Sequence, residues 1–141
     1  MSHLAGELQK DGDLLVQESL VEVICDTSFL IHLATQKIKN IDSVNTEIGQ
    51  IQFVVPSVVL SELETLSKTQ KKKQDAVTTL DFAQNLKTIE MSGKFADQTI
   101  IEHVRKHGGI TATMDKELKN KIKSLNGSII SFSNDKIVLE S

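Results

Sequence analysis

Short apolar runs alternate along this chain with stretches whose apolar residues recur every three or four positions. Val23, Ile24 and Cys25, in the stretch from Val21, form a short β-rich apolar run that breaks at Asp26. A run of that length ending at a polar break predicts a buried strand. Asp26-Thr27-Ser28 ahead of Phe29-Leu30-Ile31 predicts a helix start, and the helix is expected from Ser28 to about Ala34. Ile38, Ile41, Val44 and Ile48 are helically spaced, with Gly49 as a stop. Residues 51–55 predict a second strand, closed by Pro56, and a helix is expected over 57–67. Residues 68–74 read as a loop or frayed helix end. The next helix, over 76–86, is expected to turn Val77, Leu80 and Ala83 or Phe82 inward. Residues 87–90 suggest a short strand, and 91–96 a turn containing Gly93. Asp97 is expected to open an amphipathic helix with Ile100, Ile101 and Val104 inward and Gly108-Gly109 at its end. Residues 110–113 predict another strand, again followed by an acid, Asp115. A lysine-rich helix follows, with Leu118, Ile122 and Leu125 inward and Asn126-Gly127 as its stop. Runs at 128–132 and 137–139 are expected to pair as a hairpin about the turn 133–135.

Strands alternating with helices imply right-handed βαβ units, and so an α/β fold whose mainly parallel sheet is covered on both faces. Residues 1–20 are polar and weakly patterned, and read as an N-terminal extension to a domain over 21–141. A parallel sheet gathers the carboxyl ends of its strands on one edge, where open α/β sheets bind ligands. Asp26 and Asp115 each follow a strand by no more than two residues, so both are expected there.

Composition narrows the function classes. A chain of 141 residues with 39% hydrophobic and 25% charged residues suits one ordinary domain. No stretch nears the roughly 18 consecutive apolar residues of a membrane span. The first residues show no basic region followed by an apolar one, so no secretory signal is expected. The single cysteine, Cys25, permits no internal disulfide and reads as a small buried hydrophobe. A cytoplasmic protein without a membrane partner is expected. The net charge of −3 argues against coating nucleic acid through bulk charge, yet leaves room for a nuclease. The lysines cluster at Lys68, Lys71, Lys72 and Lys73, and again at Lys116, Lys119, Lys121 and Lys123. Five phenylalanines with no tyrosine or tryptophan argue against a base-stacking platform.

The acids carry the candidate chemistry. Val58, Val59, Leu63 and Leu66 form an apolar stripe at about 100° per residue, and Glu62 lies on its margin with Glu64 nearly opposite. An acid at that margin costs free energy unless it is paired or binds a cation. Asp26, Asp97 and Asp115 stand at expected helix starts, where capping alone would account for them. Capping and metal ligation are compatible, and three such acids converge with Glu62 on this fold. Four carboxylates together cannot all stay ionised without a cation. Hard divalent ions take oxygen ligands, and such a site suits phosphodiester hydrolysis. Thr27, Ser28 and Thr113 could orient waters or acids there, with capping and strand propensity as the plainer explanation. No Ser-His-Asp or Cys-His arrangement, P-loop or GxGxxG is visible, and Asp26-Thr27-Ser28 lacks the second acid of a dehalogenase-type phosphatase. His103 and His107 are four apart on a helix but lack a third ligand, and read as a solvent-facing pair. His32, beside an apolar run, reads as a satisfied core or surface residue rather than a base.

In order and spacing, the segments VICDTSFLIHLA, VVPSVVLSELETL, FADQTIIEHV and TATMDKELKNKI resemble the PIN domain family over about residues 21–132. The flavour is similar to archaeal stand-alone PIN proteins related to nucleases that process small-subunit rRNA. Toxin nucleases of type II toxin–antitoxin pairs come second. The resemblance implies a three-layer α/β/α sandwich, Mg²⁺ or Mn²⁺ dependence and RNA cleavage, internal rather than from an end. By position, Asp26, Glu62, Asp97 and Asp115 match the family's acids. Many relatives carry Asp-Asp where this chain has Asp97-Gln98, a departure that bears on metal affinity. The resemblance also implies a homodimer, and ribosome-assembly factors or an antitoxin as partners. A non-catalytic RNA-binding module on the same fold is the alternative. Phosphate contacts are expected from Lys116 and Lys119, which follow Asp115, ahead of Lys71, Lys72 and Lys73.

Overall fold

The computed structural model describes residues 20–36, 38, 50–134 and 136–140. The helix expected over 38–48 and the N-terminal extension lie outside the described residues, apart from Ile38 and Leu20. Six strands and five helices are described. In chain order they are β1 (Leu20–Cys25), α1 (Thr27–Thr35), β2 (Gln50–Pro56), α2 (Ser57–Leu66), α3 (Lys73–Ala83), β3 (Lys87–Ile89), α4 (Ala96–His107), β4 (Ile110–Ala112), α5 (Lys116–Ser124), β5 (Ser128–Ser133) and β6 (Lys136–Glu140). No described helix is long and apolar enough to cross a membrane.

The strands form one sheet in the order β3-β2-β1-β4-β5-β6. All neighbours are parallel except β5 and β6, the expected hairpin, which pair antiparallel with Phe132 opposite Ile137. From β1 the chain winds outward to β2 and β3, then returns to the other side for β4. The junction between β1 and β4 is therefore the switch point, where a crevice opens beyond the carboxyl ends of the strands.

Strand alternation divides the interior into two cores. Val23, Cys25, Val55, Ala112 and Ile130 face α1 and α2, where Phe29, Leu30, Val59 and Leu63 are fully buried. Ile24, Val54 and Ile129 face the opposite way, against Ile100 and Val104 of α4 and Leu118 and Ile122 of α5. Both sheet faces are thus covered, which is the three-layer α/β/α architecture. Two clusters of this kind, removed from water at roughly 25 cal/mol per Å² of apolar surface, are the main stabilising term.

Two expectations about helices need correction. On α3 the buried residues are Ala76, Thr79 and Ala83, while Val77 is exposed and Leu80 and Phe82 are half-buried. Thr79 can face inward because its hydroxyl donates to the Asp75 carbonyl at 2.7 Å, leaving little unsatisfied polarity to bury. Helix α4 starts at Ala96 rather than Asp97. Its cap residue is Phe95, which offers no side-chain acceptor, and Asp97 lies exposed within the first turn. The missing acceptor comes from another element, as described next. At its far end α4 stops as expected, at Gly108 with φ 68, a conformation that favours glycine.

Candidate active site

Asp26 is the first residue after β1. Its amide donates to the Ala112 carbonyl at 3.0 Å, which continues the β1–β4 ladder one step past the strands. The carboxylate turns back as the cap of α1, where Oδ1 accepts the Phe29 amide at 2.8 Å. The Ser28 hydroxyl donates to the same oxygen at 3.1 Å, and the Thr113 hydroxyl donates to Oδ2. Asp26 is only 6% exposed. Burial drives its pKa above the usual aspartate value. The bonds from Thr113, Phe29 and Ser28 pull the other way, and the charge of Asp115 adds to the rise.

Asp115 stands at the equivalent junction after β4. It caps α5, with Oδ1 accepting the amides of Glu117 at 2.9 Å and Leu118 at 3.3 Å. Thr113 joins the two acids. Its buried hydroxyl donates to Asp26 and accepts the Asp115 amide at 3.0 Å. The Thr113 amide itself donates to the Ile130 carbonyl at 3.0 Å, so the bridge is anchored in the sheet.

Glu62 comes from the middle of α2. Val58, Val59 and Leu63 of that helix are buried, Glu64 is exposed and Glu62 is half-buried between them. Its Oε1 accepts the Thr27 hydroxyl at 2.6 Å and its Oε2 accepts the Ala96 amide at 2.9 Å. Glu62 therefore supplies the cap that Phe95 cannot, and ties the starts of α1 and α4 to α2. That role was not legible in the sequence, because the partners lie 34 and 35 residues away.

These elements enclose a pocket of about 160 Å³ lined by Asp26, Thr27, Ser28, Glu62, Ala96, Asp97 and Asp115. All four acids singled out in the sequence reach it, and among the described residues no lysine or arginine lines it. Among the described residues no three His, Cys, Asp or Glu side chains are arranged to clasp a metal ion directly. The donor set nevertheless suits Mg²⁺ or Mn²⁺, since Mg²⁺ typically keeps several waters and takes only one or two carboxylates. At roughly 30 Å³ per water, the pocket has room for such waters. A buried carboxylate that repels its neighbour and faces no cationic side chain among the described residues is a further reason for a cation to be favourable there.

The lysines divide. Lys119 and Lys123 both reach Glu140 on β6 at 3.1 Å, and the Ser131 hydroxyl donates to the same carboxylate. Together these contacts hold Glu140 well below the usual glutamate range, at about 2, with the Ser131 bond as the largest cause. Lys119 is thus spent on the hairpin. Lys116, Lys71, Lys72 and Lys73 are exposed, and none of them lines the pocket. His103 is half-buried, with its ring 4.7 Å from that of His107. Burial, and then the neighbouring His107, push the His103 pKa down. His32 packs against Phe132, ring centroids 4.3 Å apart.

Known proteins resemble this chain in sequence and in fold. A family model described as a PIN-like domain matches residues 23–134. Ribonuclease VapC9 of Archaeoglobus fulgidus is 31% identical over 102 residues, which span 71% of this chain and 74% of that protein. The structure of the PIN domain endonuclease Utp24 superposes with a TM-score of 0.69 at 28% identity, covering 84% of this chain and 90% of the other. A domain of a functionally unknown protein from Methanocaldococcus jannaschii gives a TM-score of 0.54 at 16% identity, covering 80% and 91%, and bears on the fold alone.

Proposed function

The chain belongs to the PIN-domain ribonuclease family, and from that premise we propose that it is a divalent-metal-dependent ribonuclease acting at the acid pocket. The observation that carries this reading is the meeting of Asp26, Glu62, Asp97 and Asp115 around one crevice at the switch point. Asp26 and Asp115 would hold Mg²⁺ or Mn²⁺, with Asp97 and Glu62 as further ligands or through waters. Once bound, such an ion lowers the pKa of an attacking water and stabilises charge on the phosphate and the leaving oxygen.

The remaining work falls to residues of the chain. Thr113 and Ser28 fix the Asp26 carboxylate in one orientation and favour its ionised form, against the rise that burial imposes. Glu62 sets the first turn of α4, and so the Asp97 carboxylate, against the start of α1. Four acids with no lysine or arginine beside them among the described residues repel a phosphate, so the pocket by itself disfavours RNA. Substrate binding must then draw on cationic residues outside it. Internal cleavage is preferred to end trimming because a structural relative is described as an endonuclease.

Two substrate roles follow from different relatives. The likeness to PIN nucleases of small-subunit rRNA processing makes structured rRNA precursors the first substrates to test, with ribosome-assembly factors as partners. The 31% identity to ribonuclease VapC9 favours a second reading, a toxin nuclease restrained by an antitoxin. Growth arrest on expression, relieved by the product of an adjacent gene, would select the second. The chemistry is tested with end-labelled RNA and added Mn²⁺. The wild type should cleave and Asp26→Asn should not, whereas undiminished cleavage in excess EDTA would rule the metal mechanism out.

A further inference from the structure

The first turn of α4 separates two cavities. Ala96 and Asp97 face the acid pocket, while a larger cavity of about 390 Å³ lies on the other side. Its walls include Gly93, Lys94, Phe95, Gln98, His103 and Lys106. Phe95 is 53% exposed, more than any other large apolar side chain described. The other four phenylalanines (Phe29, Phe53, Phe82 and Phe132) pack in the core on the α1–α2 side of the sheet. The Lys94 ammonium lies 5.7 Å from the centre of the Phe95 ring. Glu102 also lines the cavity, but Arg105 already pairs with it. Neither Lys94 nor Lys106 is ion-paired among the described residues.

The wall carrying Phe95 is held in place. The Ser57 hydroxyl accepts the Met91 amide at 2.9 Å and donates to the Met91 carbonyl at 3.3 Å. A Cβ on Gly93 would meet Thr99 Oγ1 at 1.8 Å, so the loop lies against α4 at a distance only glycine allows. Thr99 in turn donates to the Phe95 carbonyl at 2.7 Å.

We propose that this cavity is a subsite for the single-stranded RNA flanking the scissile phosphate. One unstacked base lies on the Phe95 ring, and the adjoining phosphates lie against Lys94 and Lys106. The assignment rests on the ribonuclease reading of the neighbouring pocket. It also supplies what that pocket lacks: Lys94 and Phe95 stand two to three residues before Asp97, and Lys106 lies farther along α4 on the same cavity. A base offers its π-face to an aromatic ring whatever its sequence, and a base paired within a duplex cannot do so without leaving the stack.

The test is equilibrium binding of a fluorescein-labelled single-stranded oligouridylate in EDTA, where cleavage is suppressed, read by fluorescence anisotropy. Phe95→Ala should weaken binding about tenfold, and Phe95→Trp should restore it, both with an unchanged circular dichroism spectrum. Lys94→Ala with Lys106→Ala should reduce the slope of log affinity against log salt by about 1.4, at about 0.7 per phosphate contact. Unchanged affinity in Phe95→Ala, or an equal loss on a labelled RNA duplex, overturns the subsite. Cleavage with Mn²⁺ is scored separately. Binding losses without any cleavage would leave the subsite standing and sink the nuclease reading, and cleavage without binding losses would do the reverse.

Discussion

Thr113 donates its hydroxyl proton to the Asp26 carboxylate across the switch point between β1 and β4. This is a bond between two buried groups brought together from opposite halves of the chain, and it works against the rise that burial imposes on the Asp26 pKa. Thr113→Val removes that bond and keeps the volume. Asp26 then takes up its proton at higher pH, so the acid limb of the cleavage profile should move to higher pH, with the loss of rate greatest at the acidic end. Thr113→Ser should restore the wild-type limb. A profile that moved down uniformly, with its limb in place, would show that Thr113 only supports the fold.

Asp26 itself should destabilise the metal-free protein. Its folded pKa is raised from 3.8, so the folded state holds the proton more tightly than the unfolded chain does. Stability attached to this group is therefore present in the protonated form and falls as pH rises through the folded value. At neutral pH, Asp26→Asn removes that cost and should raise the melting temperature in EDTA by a few degrees, about 1 kcal/mol for a domain of this size. Added Mn²⁺ should then raise the wild-type melting temperature and leave the variant's unchanged. A variant that melts lower than wild type in EDTA contradicts this account.

Glu140 shows the opposite sign. Its folded pKa is lowered from 4.5 to about 2 by the Ser131 bond first and then by Lys119 and Lys123. The stability it contributes is fully present above pH 4.5 and is lost as pH falls toward 2. Glu140→Gln should therefore unfold at lower urea than wild type at neutral pH, by about 1 kcal/mol, and the two midpoints should converge near pH 2. Parallel midpoints across that range would mean the ion pairs add nothing.

Much of the site was legible because a parallel sheet does the gathering. Once Asp26 and Asp115 were each placed after a strand, adjacency of β1 and β4 was enough to bring them together. Glu62 was legible as an acid on the margin of an apolar stripe, but what satisfies it was not. The choice between a cation and a partner turned on Thr27 and the Ala96 amide, which are remote in sequence. The same long-range bond explains why Asp97 resembled a cap and is not one. Val77 was misassigned and Thr79 passed over because hydropathy ranks valine as the inward residue and cannot register a threonine hydroxyl satisfied on its own helix. Lys119 looked free beside Asp115 until β6 brought Glu140 to it. The scarcity of aromatics was real, yet counting could not show that one phenylalanine of the five stays exposed beside the acids.

A crystal soaked in Mn²⁺ tests most directly whether the four acids share a cation. Anomalous density should appear in the pocket between Asp26 and Asp115, bonded to at least one of their carboxylates at about 2 Å, and should vanish in Asp26→Asn. An empty pocket in a soaked crystal of protein that still cleaves RNA would contradict the account.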